Sequence, residues 1–383
     1  MKDKPAIDTL LIHAGEPQPK IDGAVSVPIF QSSTFETREG AGYHDQRYIR
    51  LNNTPNHIAL HQKLASLESA EAALVASSGM AAISAVLLTL LRSGDHLLAQ
   101  NCLYGGTHDL LSKDFPALGI EFDLVDGDGP QTWKSKLRPN TRAIYVESIS
   151  NPLLEVSDLE AVVEFARANR LVSVIDNTFA SPINFRPIEH GFDLSLHSGT
   201  KYLNGHSDIV AGAVIGKSAM VEEITHKLNH FGGSLDPHAC FLLHRGMKTL
   251  AVRVRHQNGS ALKIAQWLER HPSVTHVNYP GLESHKRHGR AAKLFGGFGG
   301  VLSFELRGGV TAAEKFVRTT KLACYAPSLG GVETLVTIPV RTSHAGMPAE
   351  ELRRAGISES LVRLSVGLEA TDDLIADFDQ ALS

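Results

Sequence analysis

The segment DLSLHSGTKYLNGHSD, Asp193–Asp208, changes character at its midpoint. It opens as a short alternating strand, Asp193 to His197, and breaks into the small residues Ser198, Gly199 and Thr200. Lys201 follows immediately. A lysine on a short polar turn at the end of a core strand is suited to covalent chemistry. Burial lowers its pKa, and an aldehyde cofactor captures the neutral amine. The flanking hydroxyls suit a phosphate. A solvated surface lysine is the plainer alternative, so the rest of the chain must decide.

Working outward, apolar runs alternate with helix-spaced segments. Leu60, Leu64 and Leu67 form a leucine stripe on one helix. Ala72–Ala76 reads as a buried strand, Ser77-Ser78-Gly79 as a turn, and Met80–Leu91 as a buried helix. Strands are predicted at His96–Gln100, Ile120–Val125, Ala143–Glu147, Leu171–Ile175, Leu194–His197 and Ile209–Gly216. Helices fall between several of them, at Gly105–Phe115, Thr132–Leu137 and Ser157–Asn169. Strands that are apolar almost throughout, alternating with helices, imply an α/β fold with a mainly parallel, doubly wound sheet. Ligands of such sheets sit beyond the carboxyl ends of the strands. Residues 1–55 carry little periodicity and recurrent Pro and Gly, as in an extended arm. The predicted organisation is this arm, a cofactor domain over 56–246, and a smaller α+β domain over 247–383. A long helix at Phe241–Arg255 leads into Ser260–Arg270.

The 383 residues are 43% hydrophobic and 20% charged, with a formal net charge of −4. That balance gives no sign of a nucleic-acid or membrane partner. The most apolar run, Met80–Leu91, is too short to span a bilayer, and the first residues lack a signal-peptide pattern. Cys102, Cys240 and Cys324 form neither a disulfide framework nor a metal motif, as expected of a cytoplasmic protein. The 19 histidines are scattered and match no zinc pattern.

Several chemically apt residues fall at predicted strand ends. Ser78-Gly79-Met80 opens a helix whose first N–H groups lack partners, a phosphate site to which Ser198 and Thr200 add hydroxyls. Tyr104 follows a strand and precedes two glycines, which suits an aromatic face over a flat ring. Asp176 ends the apolar strand LVSVID, where an unpaired carboxylate is costly and a protonated pyridine nitrogen would satisfy it. Anion site, aromatic, acid and lysine in this order suit pyridoxal 5′-phosphate (PLP). Tyr48 and Arg50 are taken by themselves as a surface aromatic and a solvated charge.

The chain resembles the Cys/Met-metabolism (trans-sulfuration) family of PLP enzymes over nearly its whole length. The resemblance runs through VPIFQSSTF, ASSGMAA, LYGGTH, ESISNP and VIDNTFASP. It continues through HSGTKYLNGHSDIVAG, SLGGVETL and LVRLSVGLE. It implies a fold-type I architecture and a homotetramer of two active dimers. It also implies that Lys201 is the Schiff-base lysine, Asp176 the partner of the pyridine nitrogen, Tyr104 the stacking ring, and Asn151 the contact to the ring hydroxyl. Ser78, Gly79, Met80, Ser198 and Thr200 are then the phosphate site. Tyr48 and Arg50 reach a neighbouring subunit's phosphate, which reverses their reading as surface groups. Arg363, helped by Ser328, holds the substrate α-carboxylate. Lys201 is the implied α-carbon base, and Tyr104 the acid or base at the leaving group.

Within the family, γ-carbon chemistry is indicated. Gly106 stands where methionine γ-lyases are similar in carrying Cys, Leu329 where bacterial cystathionine β-lyases tend to carry Trp, and Glu333 matches the γ-acting members. The expected reaction is γ-elimination of a γ-substituted amino acid, with γ-replacement as the alternative. A non-catalytic PLP-fold binding protein is disfavoured by the intact set. Asp109 and Arg47 look exchanged in charge relative to the family pattern, and the loop Tyr48–Pro55 is one residue longer. That raises a further expectation, a cationic distal group such as that of canavanine, with Asp109 and Glu333 as counter-charges.

Overall fold

A computed structural model describes residues 5–37, 39, 40, 42 and 46–383. The larger sheet contains β1 (Ala72–Ala76), β2 (His96–Gln100), β3 (Glu121–Val125), β4 (Thr141–Glu147), β5 (Val172–Asp176), β6 (Leu194–Ser198) and β7 (Gly212–Gly216). Its strand order is β1-β7-β6-β5-β4-β2-β3. Only β7 runs against its neighbours, so the carboxyl ends of the other six strands share one edge.

Both faces of this sheet are covered because both side-chain sets along each strand are apolar. Leu98, Ile144, Val146 and Ile175 enter one core, while Leu97, Ala99, Ala143, Tyr145 and Val174 enter the other. Such two-sided burial yields continuous apolar runs and a parallel sheet. A second sheet, order β10-β11-β12-β9-β8, is built from β8 (Val274–Asn278), β9 (Val301–Leu306), β10 (Cys324–Tyr325), β11 (Leu335–Thr337) and β12 (Val362–Ser365). It has its own core around Phe304, Phe316 and Phe378.

Several local readings of the sequence differ from the structure. The arm contains a helix, Ile7–His13, fixed by buried Leu11 and by Lys63 Nζ donating to the Leu11 carbonyl at 2.6 Å. The predicted long helix is two, Pro237–Met247 and Leu250–Arg270. At the break, buried Arg253 donates to the carbonyls of Gly246 and Tyr202, both at 2.8 Å, which supplies partners for a helix end and ties it to the lysine turn. The helix after Tyr104 loosens into a π-type turn over Leu110–Asp114. Strand β8 escaped notice because THVN carries polar residues that alternate poorly. Among the described residues, no helix is long and apolar enough to cross a membrane.

Candidate active site

Beyond the carboxyl ends of the large sheet lies a cavity of about 650 Å³. The carboxyl ends of β1, β2, β4, β5 and β6 each deliver part of its wall. After β1, Ser78 caps the helix Gly79–Leu90, its Oγ accepting the Ala81 N–H at 3.0 Å. The N–H groups of Gly79 and Met80, in the first turn, have no intrahelical acceptor. A Cβ on Gly79 would lie 3.0 Å from the Ser198 Cβ, so glycine opens a cradle between this helix start and the end of β6. Ser198 and Thr200 line the same side, and Ala211 N–H donates to Thr200 Oγ1 at 3.0 Å.

Asp176 ends β5 and is held by the Thr178 N–H, which donates to Oδ1 at 2.9 Å. Burial raises its pKa, outweighing the hydrogen bonds from Thr178. Glu147 ends β4 directly beside it and accepts the Tyr104 N–H at 2.6 Å. Burial, then the neighbouring Asp176, push Glu147 well above the usual carboxylate range. Two desolvated carboxyl groups side by side do not both ionise readily. A cationic ring nitrogen at Asp176 would relieve that cost, and the cradle beside it suits a phosphate dianion. The residues present therefore fit PLP.

Lys201 Nζ donates to Ser328 Oγ at 2.9 Å. Burial, then the charge of Arg363, lower its pKa to about 8. Arg363, on β12, is buried and donates to Asn151 Oδ1 and to the Ser328 carbonyl, both at 3.0 Å. Among the described residues no carboxylate pairs with it, and burial lowers its pKa to about 10. Ser328 thus holds the amine by its side chain and the guanidinium by its carbonyl. It does so at φ +106°, a conformation that costs a non-glycine residue about 1–3 kcal/mol.

Tyr104 overhangs the cavity, 40% exposed. A Cβ on Gly106 would come within 2.6 Å of its ring, so glycine there lets the tyrosine take its present place. Of the residues singled out from sequence, the structure gathers Ser78, Gly79, Met80, Tyr104, Asn151 and Asp176 on this wall. Ser198, Thr200, Lys201, Ser328 and Arg363 join them. Five others lie outside it. Tyr48 and Arg50 are exposed and stack on each other, with the guanidinium 5.8 Å from the ring centroid. Arg47 is exposed, Asp109 pairs with Lys113 at 2.9 Å, and exposed Glu333 accepts from Ser207 at 3.1 Å.

Two charged wall residues escaped the reading of the sequence. Glu147 carried the same signal as Asp176, an acid closing an apolar strand (AIYVE). Arg341 sits on a short turn after β11 and carries no local signal.

The chain matches the model of the Cys/Met metabolism PLP-dependent enzyme family over residues 8–383. It is 42% identical to a cystathionine gamma-lyase of Bacillus subtilis (strain 168) over 375 residues, 98% of each chain. It is also 42% identical to a cystathionine beta-lyase of Lactococcus lactis subsp. cremoris (strain MG1363), covering 98% of this chain and 99% of that one. A crystal structure of cystathionine gamma-lyase from Lactobacillus plantarum complexed with L-serine superposes with a TM-score of 0.94 at 39% identity, over 98% of each chain.

Proposed function

This chain belongs to the Cys/Met-metabolism family of PLP-dependent enzymes, and on that premise we propose that it catalyses γ-elimination from a γ-substituted amino acid. The best candidate substrate is the thioether cystathionine. With water it yields cysteine, 2-oxobutanoate and ammonia. The observation that carries the reading is the pairing of Lys201 and Arg363 across Ser328 on one cavity wall. A carboxylate anchor free of any protein acid stands beside an amine that is partly neutral near pH 8.

When bound, PLP supplies an aldehyde for the substrate amine and a cationic ring that stabilises negative charge at the α-carbon. Lys201 would hold the cofactor, Asp176 its ring nitrogen and Asn151 its ring hydroxyl. Its phosphate would lie on Ser78, Gly79, Met80, Ser198 and Thr200. Arg363 takes the α-carboxylate through its fork of donors and fixes the α-carbon beside Lys201 Nζ. Lys201 then removes the α-proton and moves a proton at the β-carbon. Tyr104 supplies the phenol that serves the leaving group. Buried Leu329 on the cavity wall, at the position where Trp is expected of bacterial cystathionine β-lyases, supports the γ over the β position.

Tyr48 and Arg50 lie outside their own cavity, which supports a role at a neighbouring subunit's phosphate in a homotetramer of two dimers. A cytoplasmic location fits three free thiols. Incubating the holoenzyme with cystathionine and separating the products tests the reaction. Cysteine with 2-oxobutanoate is expected. Homocysteine with pyruvate would overturn the γ assignment in favour of β-elimination. Cystathionine formed from an activated homoserine and cysteine, without keto acid, would mark a replacement enzyme.

A further inference from the structure

Five side chains on the cavity wall carry formal charge or its potential: Glu147, Asp176, Lys201, Arg363 and Arg341. The first four have roles at the cofactor and the α-carboxylate. Arg341 has none. It stands just past β11, where Thr337 is the register partner of Arg363, so the two arginines leave neighbouring strands at one end of the small sheet. Arg363 is buried, whereas the Arg341 side chain is 46% exposed, which puts it at the cavity's open side.

Its position is fixed. The Arg341 N–H donates to the Ile338 carbonyl at 2.9 Å, and the Thr342 hydroxyl meets Thr337 Oγ1 at 3.0 Å. Two residues on, the Ser343 carbonyl packs on Gly105, where a Cβ would come within 1.9 Å of it. The loop is thereby clamped to the helix that starts at Tyr104. One edge of the guanidinium is held by Glu314 through Nη2. An arginine has five N–H donors, so the others remain to face the cavity. Of the acids near this loop, Asp109 pairs with Lys113 at 2.9 Å, and Glu351 stands 3.5 Å from His108 Nε2. A cationic distal group would therefore meet a fixed guanidinium, and an anionic one would meet a partner.

We propose that Arg341 is a specificity-determining residue that anchors a carboxylate at the distal end of the substrate's γ-substituent. This rests on the elimination reading above. Arg363 takes one end of the substrate and Arg341 the other.

The test uses the holoenzyme and two readouts. The first is the ratio of kcat/KM for S-(2-carboxyethyl)-L-homocysteine to that for S-propyl-L-homocysteine, which differ in the distal carboxylate. A wild-type ratio of about tenfold or more is expected, falling at least tenfold in Arg341→Gln and less in Arg341→Lys. The second is calorimetric affinity for linear diacids from succinate to suberate, each against its monoacid. At least one length should bind better to the wild type and lose that advantage in Arg341→Gln. Turnover with an unchanged ratio in Arg341→Gln overturns the anchor and leaves the elimination reading standing. A diacid advantage that depends on Arg341, without turnover of either thioether, overturns the elimination reading and keeps the anchor. A wild type that prefers neither the carboxylate substrate nor any diacid overturns the anchor outright.

Discussion

Lys201 shows how one side chain is tuned by its surroundings. Its amine sits next to the buried Arg363 guanidinium and holds no carboxylate, so the protonated form is disfavoured twice. Between about pH 8 and 10.5 the unfolded chain binds more protons at this residue than the folded one, so stability rises with pH across that window. Below pH 8 the full cost, on the order of 3 kcal/mol, is present. Cofactor-free Lys201→Met should therefore melt above the cofactor-free wild type at pH 7, with the gain shrinking as pH approaches 10.5. A gain that stays constant from pH 7 to 10.5 would show that the amine is not desolvated. Glu147 illustrates the opposite sign. Burial and the neighbouring Asp176 raise the pKa of this strand-end acid, and it anchors the Tyr104 backbone by accepting its N–H.

At the scale of elements, what matters is how helix starts and loops meet. The helix Gly79–Leu90 approaches the end of β6 so closely that only glycine leaves the cradle open. Gly79→Ala should weaken PLP binding a few-fold. Gly79→Val should weaken it by about tenfold or more, because the Ser198 backbone must shift. Absorbance titration of the cofactor-free protein reads this directly, and equal affinity in Gly79→Val would place the phosphate elsewhere. A second junction lies in the small domain. The Asp377 carboxylate accepts the N–H groups of Lys321 and Leu322 at 2.8 and 2.9 Å, pinning the segment that leads to Ser328. Asp377→Ala leaves these donors unpaired and should cost about 3 kcal/mol in denaturant unfolding. A loss below about 0.5 kcal/mol would mean that the segment is held by other contacts.

For the whole molecule, the informative fact is what one chain leaves unfinished. Tyr48 and Arg50 lie outside their own cavity and stack on each other, while the proposed phosphate cradle is built from helix N–H groups and hydroxyls with no arginine of its own among the described residues. If the neighbouring subunit supplies that charge, two defective chains can complement. Arg50→Ala and Lys201→Ala homo-oligomers should each be close to inactive. Refolding them together should restore about a quarter of wild-type activity, because half of the dimers are hybrids and each hybrid has one intact site. No recovery on mixing, with hybrids demonstrated by mass, would confine the site to one chain. A second global feature is the set of contacts that Arg287 and Arg290, in the C-terminal part, make to Asp128 beyond β3. They fix the small-sheet region against the large one and so help to set the spacing between Arg363 and Lys201.

The sequence by itself determined most strands of the large sheet and several deep residues of the proposed site. Short apolar runs of strand length that alternate with helical segments read as two-sided strands, and in a parallel sheet their carboxyl ends converge. Asp176 was therefore legible from local pattern, Glu147 would have been by the same reasoning, and the Lys201 turn became legible only beside Asp176, Tyr104 and the Ser78-Gly79-Met80 helix start. The break after Met247 was not legible, because it depends on Arg253 reaching the Tyr202 and Gly246 carbonyls from another turn. Arg341 was not legible either. Its place on the wall follows from the pairing of β11 with β12 and from the closeness of the Ser343 carbonyl to Gly105, contacts between segments far apart in sequence. The exclusion of Asp109 and Glu333 from the wall was likewise decided by tertiary packing. Periodicity records which side of an element is buried. Which distant side chains share a cavity depends on sheet order and loop contact, and only the folded chain sets these.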